Sequence, residues 1–350
     1  LVETYEASEN KESALMKKVG GVSYYFRAFI YYRLASHYGN VPILRKRSKE
    51  VVPISPEAEV WTFIEEDLGK AIRLLSKADS KWYVSSDAAN ALAARVALFQ
   101  NKMTDAANYA EAVLANSSFS LASTAMDFSK NWVAGSSSPE IIFAYVNNSR
   151  ASSPLNFTLY VNDTDGSWNY APSDWCYNSL FADDNTLSRK GDVRLKATFT
   201  SQDANRVIKY PNGTYQLAET SDYTCTPVVI SRISEMYLIK AEAEALGKTN
   251  GAAALVEYMK KRYTTAPSEA AIKALSDKEY QTLILDERRR EFYAEGMRWQ
   301  DIKRTNRLEL LETLDGRTYL MYYPIPQDEI DMAGTVAYPQ NPGYAGYTGN

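Results

Sequence analysis

The chain has 350 residues, of which 45% are hydrophobic and 23% charged; this ordinary globular composition is long enough for one large helical array or two modest domains. Its net charge of -4 does not supply the clustered excess of lysine and arginine that phosphate binding needs, so we expect no nucleic-acid partner. No run approaches the roughly 18 uncharged apolar residues that span a bilayer, so we expect membrane association only through a lipid or a partner.

The first predicted helical hairpin covers residues 22–78. Its first helix runs from Val22 to Tyr38 and ends at Gly39, with an apolar face made of Phe26, Phe29, Ile30 and Leu34. The second helix has Ser55 as its predicted N-cap and Pro56 at the first helical position. Its predicted apolar stripe consists of Val60, Phe63, Ile64, Ala71, Ile72 and Leu75.

Two later pairs of segments share one layout. Leu92–Phe99 and Ala106–Leu114 flank a short turn, and Leu238–Leu246 and Ala252–Met259 flank another. Small residues at matching positions let paired helices approach closely, as in tetratricopeptide-type repeats of about 34 residues. These pairs therefore predict helical hairpins of a repeat protein.

A fourth hairpin is predicted over residues 277–306. It starts with the capping box Ser276-x-x-Glu279 and turns at Gly296 into Arg298–Asn306. We expect the four hairpins to pack as one array.

Residues 116–230 interrupt the helical pattern. Glu140–Asn147 alternates like a strand, and the Asn-Gly within Tyr210–Thr214 is typical of a hairpin turn. A long irregular segment in a helical scaffold is more often functional than accidental, because loops present binding groups on a rigid frame. We expect this insertion to project from the array and to bind the ligand.

Residue types that often carry chemistry are scarce. Cys176 and Cys225 are too few for a disulfide framework and lack C-x-x-C spacing, although one disulfide stays open. The single histidine, His37, lies in a Tyr- and Leu-rich stretch and is interpreted as a packed or capping residue, since metal and triad sites need partners. We expect no cofactor and no catalytic residue.

Three separated stretches carry a resemblance to a known family. They are Arg27–Leu34 with Tyr38–Pro42, Glu287–Phe292 with Glu295–Arg304, and Tyr323–Ile330 with Gln340–Tyr344. In sequence and order they resemble the SusD/RagB family, the surface glycan-binding lipoproteins of Bacteroidetes outer membranes. The resemblance covers about residues 22–115 and 228–345 and, weakly, the insertion.

The resemblance implies a mainly α, SusD-like fold: a tetratricopeptide-like array of helical hairpins with a long loop-rich insertion containing short strands. We expect one domain over residues 1–350, with repeats at about 22–115 and 228–310, the binding insertion at 116–230 and an irregular segment at 311–350. It further implies a non-catalytic protein that binds a glycan or oligosaccharide.

The partner implied by the resemblance is a SusC-like TonB-dependent transporter, and the implied location is the cell surface, as a lipoprotein of the outer membrane. The helical region and the lipid-bearing cysteine that family members carry before the first repeat do not precede Leu1. We therefore expect a processed or trimmed chain that lacks the anchor and part of the glycan site or partner surface.

Glu287, Glu291 and Glu295 stand at i, i+4, i+8 spacing and invite comparison with catalytic acids. They are interleaved with three arginines, Arg288 to Arg290, and followed by Arg298 and Asp301. We therefore interpret them as an ion-pair and hydrogen-bond network that locks the last hairpin.

Asn162–Gly166 resembles half of a calcium loop, with an oxygen donor at alternate positions and a glycine for the turn. The first ligand position of an EF-hand would fall on Val161 and the twelfth on Pro172, and neither side chain binds calcium. A polar surface turn is the preferred interpretation.

An aromatic cluster in the insertion is the predicted binding site. Aromatic rings and short polar groups alternate there without a period of 2 or 3.6, which a buried strand or helix would show. Amphipathic rings beside amides and carboxylates suit a sugar, whose apolar face lies on an aromatic ring. The predicted ligand-binding residues are Tyr160, Trp168, Asn169, Tyr170, Asp174, Trp175 and Tyr177, with Trp82 and Tyr83 as a second candidate surface. Trp61, Trp132 and Trp299 are assigned to the core.

Two other functions stay open on the sequence. A glycosidase would need two carboxylates about 5–10 Å apart across the sugar bond, and the aspartates of the insertion form no recognisable pair. A repeat scaffold that binds a protein or peptide on its concave face is the other alternative.

Overall fold

The computed structural model describes residues 1–133, 138–146, 172–199, 207–209, 226–246, 251–311, 314 and 316–344. Within these residues the chain is mostly helical, with short strands in two-stranded pairs, so the predicted mainly α, tetratricopeptide-like fold class is confirmed. Two compact units are present: unit 1 comprises Leu1–Lys77, Val84–Gln100 and the chain from Trp299, and unit 2 comprises Ala78–Tyr83 and Asn101–Arg298. The prediction of one domain and one helical array stays a prediction.

Unit 1 opens with α1 (Val2–Glu6) and the long α2 (Ala14–Tyr38). Helix α2 begins at Ala14, earlier than predicted, because the Ser13 hydroxyl caps it by accepting from the Met16 N–H. The predicted apolar face is wrong, since Ile30 is 55% exposed. The face that packs inward consists of Tyr24, Tyr25, Ala28, Tyr31, Tyr32 and Ala35.

The start of α3 (Glu57–Leu74) differs from the prediction. Ser55 belongs to β2 (Ile54–Ser55), which pairs antiparallel with β1 (Val41–Pro42), and it does not cap the helix. The cap comes instead from Asn40, whose Oδ1 accepts from the Glu57 N–H at 2.8 Å. The Glu57 N–H has no partner within its own helix, and a side chain from the turn after α2 thus satisfies it.

Helix α3 buries Val60, Phe63, Ile64 and Ala71 of its predicted stripe, whereas Ile72 and Leu75 are half-buried. It packs against α2 and against α4 (Ser86–Phe99). Six of the 14 residues of α4 are alanine, and all six are buried, which allows close approach of its neighbours. The buried Asp67 carboxylate of α3 accepts two hydrogen bonds from Arg27 of α2, at 2.6 and 2.8 Å. Trp61 is 7% exposed and belongs to the core, as predicted.

Unit 2 starts its helices with α5 (Met103–Leu114) and α6 (Ala125–Ser129). A 3-10 turn follows at Lys130–Trp132, where Trp132 is fully buried as predicted. The predicted strand is present as β3 (Ile141–Tyr145).

The next elements of unit 2 are β4 (Lys190–Asp192), α7 (Val193–Thr198), β5 (Val228–Arg232), α8 (Ile233–Leu246), α9 (Ala252–Arg262) and β6 (Tyr263–Thr265). Strand β5 pairs antiparallel with β3, and β6 pairs antiparallel with β4. Helix α8 packs against both α5 and α9, so the predicted close pairing of α8 with α9 is confirmed.

Unit 2 ends with α10 (Glu269–Lys273) and α11 (Asp277–Glu291), and α11 packs against α8. The predicted capping box is confirmed: the Ser276 Oγ accepts from the Glu279 N–H, and the Glu279 carboxylate accepts from the Ser276 N–H at 2.8 Å. Helix α12 (Arg298–Arg304) follows. The segment predicted to be irregular contains a further helix, α13 (Gln327–Ala333), in unit 1.

His37 and Cys176 both pack against neighbouring groups. The His37 Nδ1 lies 2.7 Å from the Arg33 carbonyl oxygen, and its ring packs on Tyr323 at 5.1 Å, so it is a packed residue as predicted. Cys176 is a buried free thiol whose pKa is raised by burial. Cys225 lies outside the described residues.

Candidate ligand-binding surface

Trp175 is a predicted binding residue that lies on the surface of unit 2. It belongs to the short helical segment 174–180 of unit 2, and it is 50% exposed. The guanidinium carbon of Arg289, on α11, lies 4.6 Å from the centre of the indole ring. This cation–π contact orients the ring and leaves half of it accessible. The result is a flat apolar platform beside a hydrogen-bond donor.

A buried cluster follows Trp175 in sequence. This cluster consists of Cys176, Leu180, Phe181, Phe199 and Val207. Tyr177 is half-buried and packs edge-on against Phe199, with ring centroids 5.7 Å apart. The Arg290 Nε donates to the Leu180 carbonyl at 2.5 Å and so ties the segment to α11. Tyr177 therefore packs beneath the surface, while Trp175 faces solvent.

Of the other predicted binding residues, Asp174 is exposed directly beside Trp175. Tyr160, Trp168, Asn169 and Tyr170 lie outside the described residues, and their role stays a prediction. The calcium-like loop at 162–166 and the hairpin turn at 210–214 also lie outside.

The second candidate surface is formed by the loop Ala78–Tyr83, which belongs to unit 2. The Lys81 carbonyl accepts from the Ala144 N–H at 3.0 Å, so the loop adds to the edge of β3. Trp82 is half-buried with the Lys81 ammonium 5.0 Å from its ring centre, and Tyr83 is 61% exposed. Tyr145, at the end of β3, is 39% exposed. This edge presents further aromatic rings to solvent.

Glu287, Glu291 and Glu295 form the centre of a charge network, as predicted, and the first two are fully buried. The Arg262 Nε donates to Glu291 at 2.9 Å, and the Arg232 Nη1 donates to its other oxygen at 2.6 Å. Two tyrosine hydroxyls join the network, Tyr258 donating to Glu291 at 2.7 Å and Tyr263 to Glu287 at 2.6 Å.

The network reaches further than the sequence predicts. Arg290 pairs with Glu287 at 2.9 Å, as its position on the same helix suggests, but Arg289 contacts Trp175. Among the described residues, four more cations come from positions far along the chain: Arg194 of α7, Lys209, Arg232 of β5 and Arg262 of α9. The network therefore joins α11 to the insertion, to β5 and to α9, and its predicted role in locking the last hairpin stays a prediction.

Burial and charge compete at these glutamates. Burial alone would raise the pKa of Glu291, but the guanidinium groups of Arg262 and Arg232 outweigh it and hold that pKa well below its usual range. The pKa of Glu287 is also lowered, because Arg194 and Arg290 outweigh its burial. A buried carboxylate held ionised by arginines is neither accessible to a sugar nor able to donate a proton near neutral pH.

A metal site needs a cluster of ligating side chains, and a membrane-spanning helix needs a long apolar stretch. Within the described part of the chain, no group of three or more His, Cys, Asp or Glu side chains is arranged to hold a metal ion. No helix of the described residues is long and apolar enough to cross a membrane.

Comparison with known proteins decides the family. A family model described as the SusD family matches residues 166–317, and one described as starch-binding associating with outer membrane matches residues 1–98. One SusD-like protein of Formosa agariphila is 24% identical to the chain, over 85% of the chain and 68% of its own length. A second SusD-like protein of the same organism is 27% identical, over 96% of the chain and 75% of its own length. The chain belongs to the SusD/RagB family.

The fold of this chain is similar to that of solved structures of SusD-like proteins. A SusD superfamily protein from Bacteroides thetaiotaomicron has a TM-score of 0.78 at 22% identity, over 97% of this chain and 82% of its own. A laminarin-binding SusD-like protein has a TM-score of 0.70 at 20% identity, over 98% of this chain and 82% of its own. At these identities the likeness establishes the fold.

In this SusD/RagB chain, two side chains at the candidate surfaces, Arg289 and Tyr145, are not predicted from the sequence. The sequence places Arg289 in the charge network, whereas the side chain lies over Trp175. It predicts Tyr145 only as part of a strand, yet its position at the strand end leaves it partly exposed. The partial signal for Arg289 is its place two residues from Glu287, which puts it on another face of the helix.

Proposed function

We propose that this SusD/RagB protein binds a glycan at the cell surface without cleaving it and delivers it to a SusC-like TonB-dependent outer-membrane transporter. The observation that carries the proposal is the half-exposed indole of Trp175, which lies under Arg289 and beside exposed Asp174. A pyranose lays its apolar face on such a ring, while charged groups at the rim bond its hydroxyls.

The relatives support a carbohydrate as the ligand. One matching family model is described as starch-binding, and one protein of the same fold is described as laminarin-binding. Starch and laminarin are therefore the first polysaccharides to test, beside mucin glycans, host N-glycans and plant polymers.

The buried glutamates support a binding role without catalysis. Retaining and inverting glycosidases place two carboxyl groups on either side of the scissile bond, where a sugar reaches both. Glu287 and Glu291 are instead fully buried and engaged by arginine and tyrosine. We expect no release of reducing ends above background when the protein is incubated with any glycan that it binds.

Delivery to a transporter is supported by family membership and by the description of the matching family model as associating with outer membrane. We propose a lipid anchor as the means of attachment. Purification of the tagged full-length protein from its own outer membrane tests the partnership. Recovery of the protein with no TonB-dependent transporter would argue against delivery.

The first prediction concerns Trp175. We expect Trp175→Ala to weaken binding of the best polysaccharide by about five- to hundred-fold, which corresponds to the loss of about 1–3 kcal/mol for one stacking platform. Affinity gel electrophoresis against the polysaccharide panel, followed by titration calorimetry, measures the effect. The melting temperature should change little, because half of the side chain is already exposed.

Two variants serve as controls. Met332→Ala removes a side chain that is 83% exposed in unit 1 and should change neither affinity nor stability. Trp132→Ala removes a fully buried ring and should destabilise the protein by about 3–5 kcal/mol. If Trp175→Ala lowers the melting temperature as Trp132→Ala does and leaves affinity unchanged, Trp175 is a packing residue and the proposal fails at this surface.

A further inference from the structure

Unit 1 contains a second concave site that the proposed function does not use. It is a cavity of about 400 Å³, within the usual range for small-molecule sites. Two of the stretches that carry the family resemblance line it: the turn after α2 and the C-terminal segment. Every residue that lines the cavity belongs to unit 1.

Two glycines let tyrosine rings form the cavity wall. Gly39 has φ of +74°, and a Cβ there would lie 2.8 Å from the Tyr322 ring. Gly343 has φ of +89°, and a Cβ there would collide with the Tyr319 ring. Tyr319 is also held edge-on by Tyr344, with ring centroids 5.0 Å apart. The rings are therefore placed by close backbone approach, and side chains at the glycines would displace them.

A buried amide leaves one acceptor unused at this cavity. Asn341 is 7% exposed, and its Nδ2 donates to the Tyr38 carbonyl at 3.0 Å and to the Tyr323 carbonyl at 2.7 Å. Within the described residues its Oδ1 accepts no hydrogen bond. The oxygen is not fully enclosed by protein, so a ligand or water can donate to it.

Hydroxyl groups add to this polar lining. Tyr38, Thr318 and Tyr319 line the same cavity, and their hydroxyls have no hydrogen-bond partner in the part of the chain that the structure describes. They can both donate and accept, as a polyhydroxylated ligand requires.

The charges around the cavity favour a neutral ligand. The Glu57 carboxylate lines it and accepts from the Trp61 Nε1 at 2.9 Å and from the Tyr322 hydroxyl at 2.7 Å. Glu57 disfavours an anion. The Lys303 ammonium already lies 3.4 Å from the centre of the Tyr322 ring and donates to the Ser36 carbonyl at 2.9 Å. A second cation would be repelled by it.

We propose that this cavity binds one neutral pyranose, so that unit 1 carries a carbohydrate site separate from Trp175 in unit 2. The choice of a sugar over other neutral ligands rests on the proposed function. The sugar ring stacks on tyrosine, and its hydroxyls bond the Asn341 Oδ1 and the unpaired hydroxyls of Thr318 and Tyr319. The site takes a single ring or chain end, because its volume is that of a small-molecule pocket.

Saturation-transfer NMR and titration with glucose, galactose, N-acetylglucosamine, maltose and laminaribiose test the proposal. The full-length protein is compared with Tyr319→Ala, Thr318→Val, Trp175→Ala and the control Tyr338→Ala, whose tyrosine lies in the same C-terminal segment but does not line the cavity. We expect at least one sugar to bind, with about tenfold or greater loss in Tyr319→Ala, a smaller loss in Thr318→Val, and no change in Tyr338→Ala.

The outcomes separate the two sites. If no sugar of the panel binds the wild-type protein, or if binding survives both Tyr319→Ala and Thr318→Val, the cavity proposal is wrong whatever polysaccharides do. If only Trp175→Ala abolishes sugar binding, the cavity is again excluded, and the Trp175 surface is the site. Suppose that Tyr319→Ala loses sugar binding and that Trp175→Ala leaves polysaccharide binding unchanged. This result supports the cavity as a sugar site and contradicts the proposed function of Trp175.

Discussion

A cation lies over an aromatic ring both at the Trp175 surface and at the cavity of unit 1. Arg289 lies over Trp175 at 4.6 Å, and Lys303 lies over Tyr322 at 3.4 Å. Attraction between the cation and the negative face of the ring holds the ring in one orientation. Such preorganisation lowers the entropy that a ligand must give up when it stacks there.

The residue with the sharpest local requirement is Gly39. Its positive φ is unfavourable for any side chain, and a methyl group would also collide with Tyr322. We predict that Gly39→Ala lowers the free energy of unfolding by about 1–3 kcal/mol, because backbone strain adds to displacement of the ring. Urea denaturation measures the loss.

Gly296 supplies the matched control, since it has the same φ of +74° and a methyl group there would meet nothing within 4 Å. Gly296→Ala should therefore carry the backbone strain alone, at about 1 kcal/mol. Equal losses for the two variants would show that the contact with Tyr322 is relieved without cost.

Among the elements, α11 connects the charge network to the candidate surface. Glu287 and Glu291 stand four residues apart and share one face, on which Glu291 accepts from Arg262 and Arg232 and Glu287 accepts from Arg194. Arg289 lies two residues from each, about 200° around the helix, and contacts Trp175. One helix thus satisfies buried charges on one side and supports the exposed indole on the other.

We predict that Glu291→Gln destabilises the protein by about 3–5 kcal/mol, since it removes a fully buried negative charge that two buried guanidinium groups share. Chemical denaturation of the purified variant measures the change. The same substitution at Glu279 is the control, because this exposed glutamate belongs to the capping box, in which glutamine also serves. A loss at Glu291 no larger than that at Glu279 would contradict a central role for the network.

For the whole molecule, the network predicts lower stability in acid. The native pKa values of Glu287 and Glu291 are depressed, whereas an unfolded glutamate has a pKa of about 4.3. Below about pH 5 the unfolded chain therefore takes up protons that the native state does not, and the free energy of unfolding falls until the native pKa values are passed. Asp67 and Asp286 act in the opposite sense, because burial raises their pKa values.

We expect the glutamates to prevail, because the pKa of Glu291 lies well below its usual range. Circular dichroism melts from about pH 7 to about pH 3 measure the dependence, and Glu291→Gln should show a flatter acid slope than the wild-type protein. Parallel slopes for the two proteins would show that other carboxylates govern acid unfolding.

Much of the helical layout is predictable from local sequence. The capping box at Ser276 and Glu279, the apolar stripe of α3 and the breaks at Gly39 and Gly296 act over a few residues, so composition and spacing suffice. The buried face of α2 is not predictable in this way, because the helix carries aromatic and small residues on every side and several of its faces are equally apolar. Burial there depends on which neighbouring element packs against it.

The sequence by itself determined the family resemblance, the positions of the main helices and the structural role of the glutamates on α11. Only the tertiary structure decided that Asn40 caps α3, that Arg194, Arg232 and Arg262 surround Glu287 and Glu291, and that Arg289 lies over Trp175. The physical reason is distance along the chain. Local periodicity encodes the face on which a side chain lies, but the partner on that face comes from elements tens of residues away, which meet only on folding.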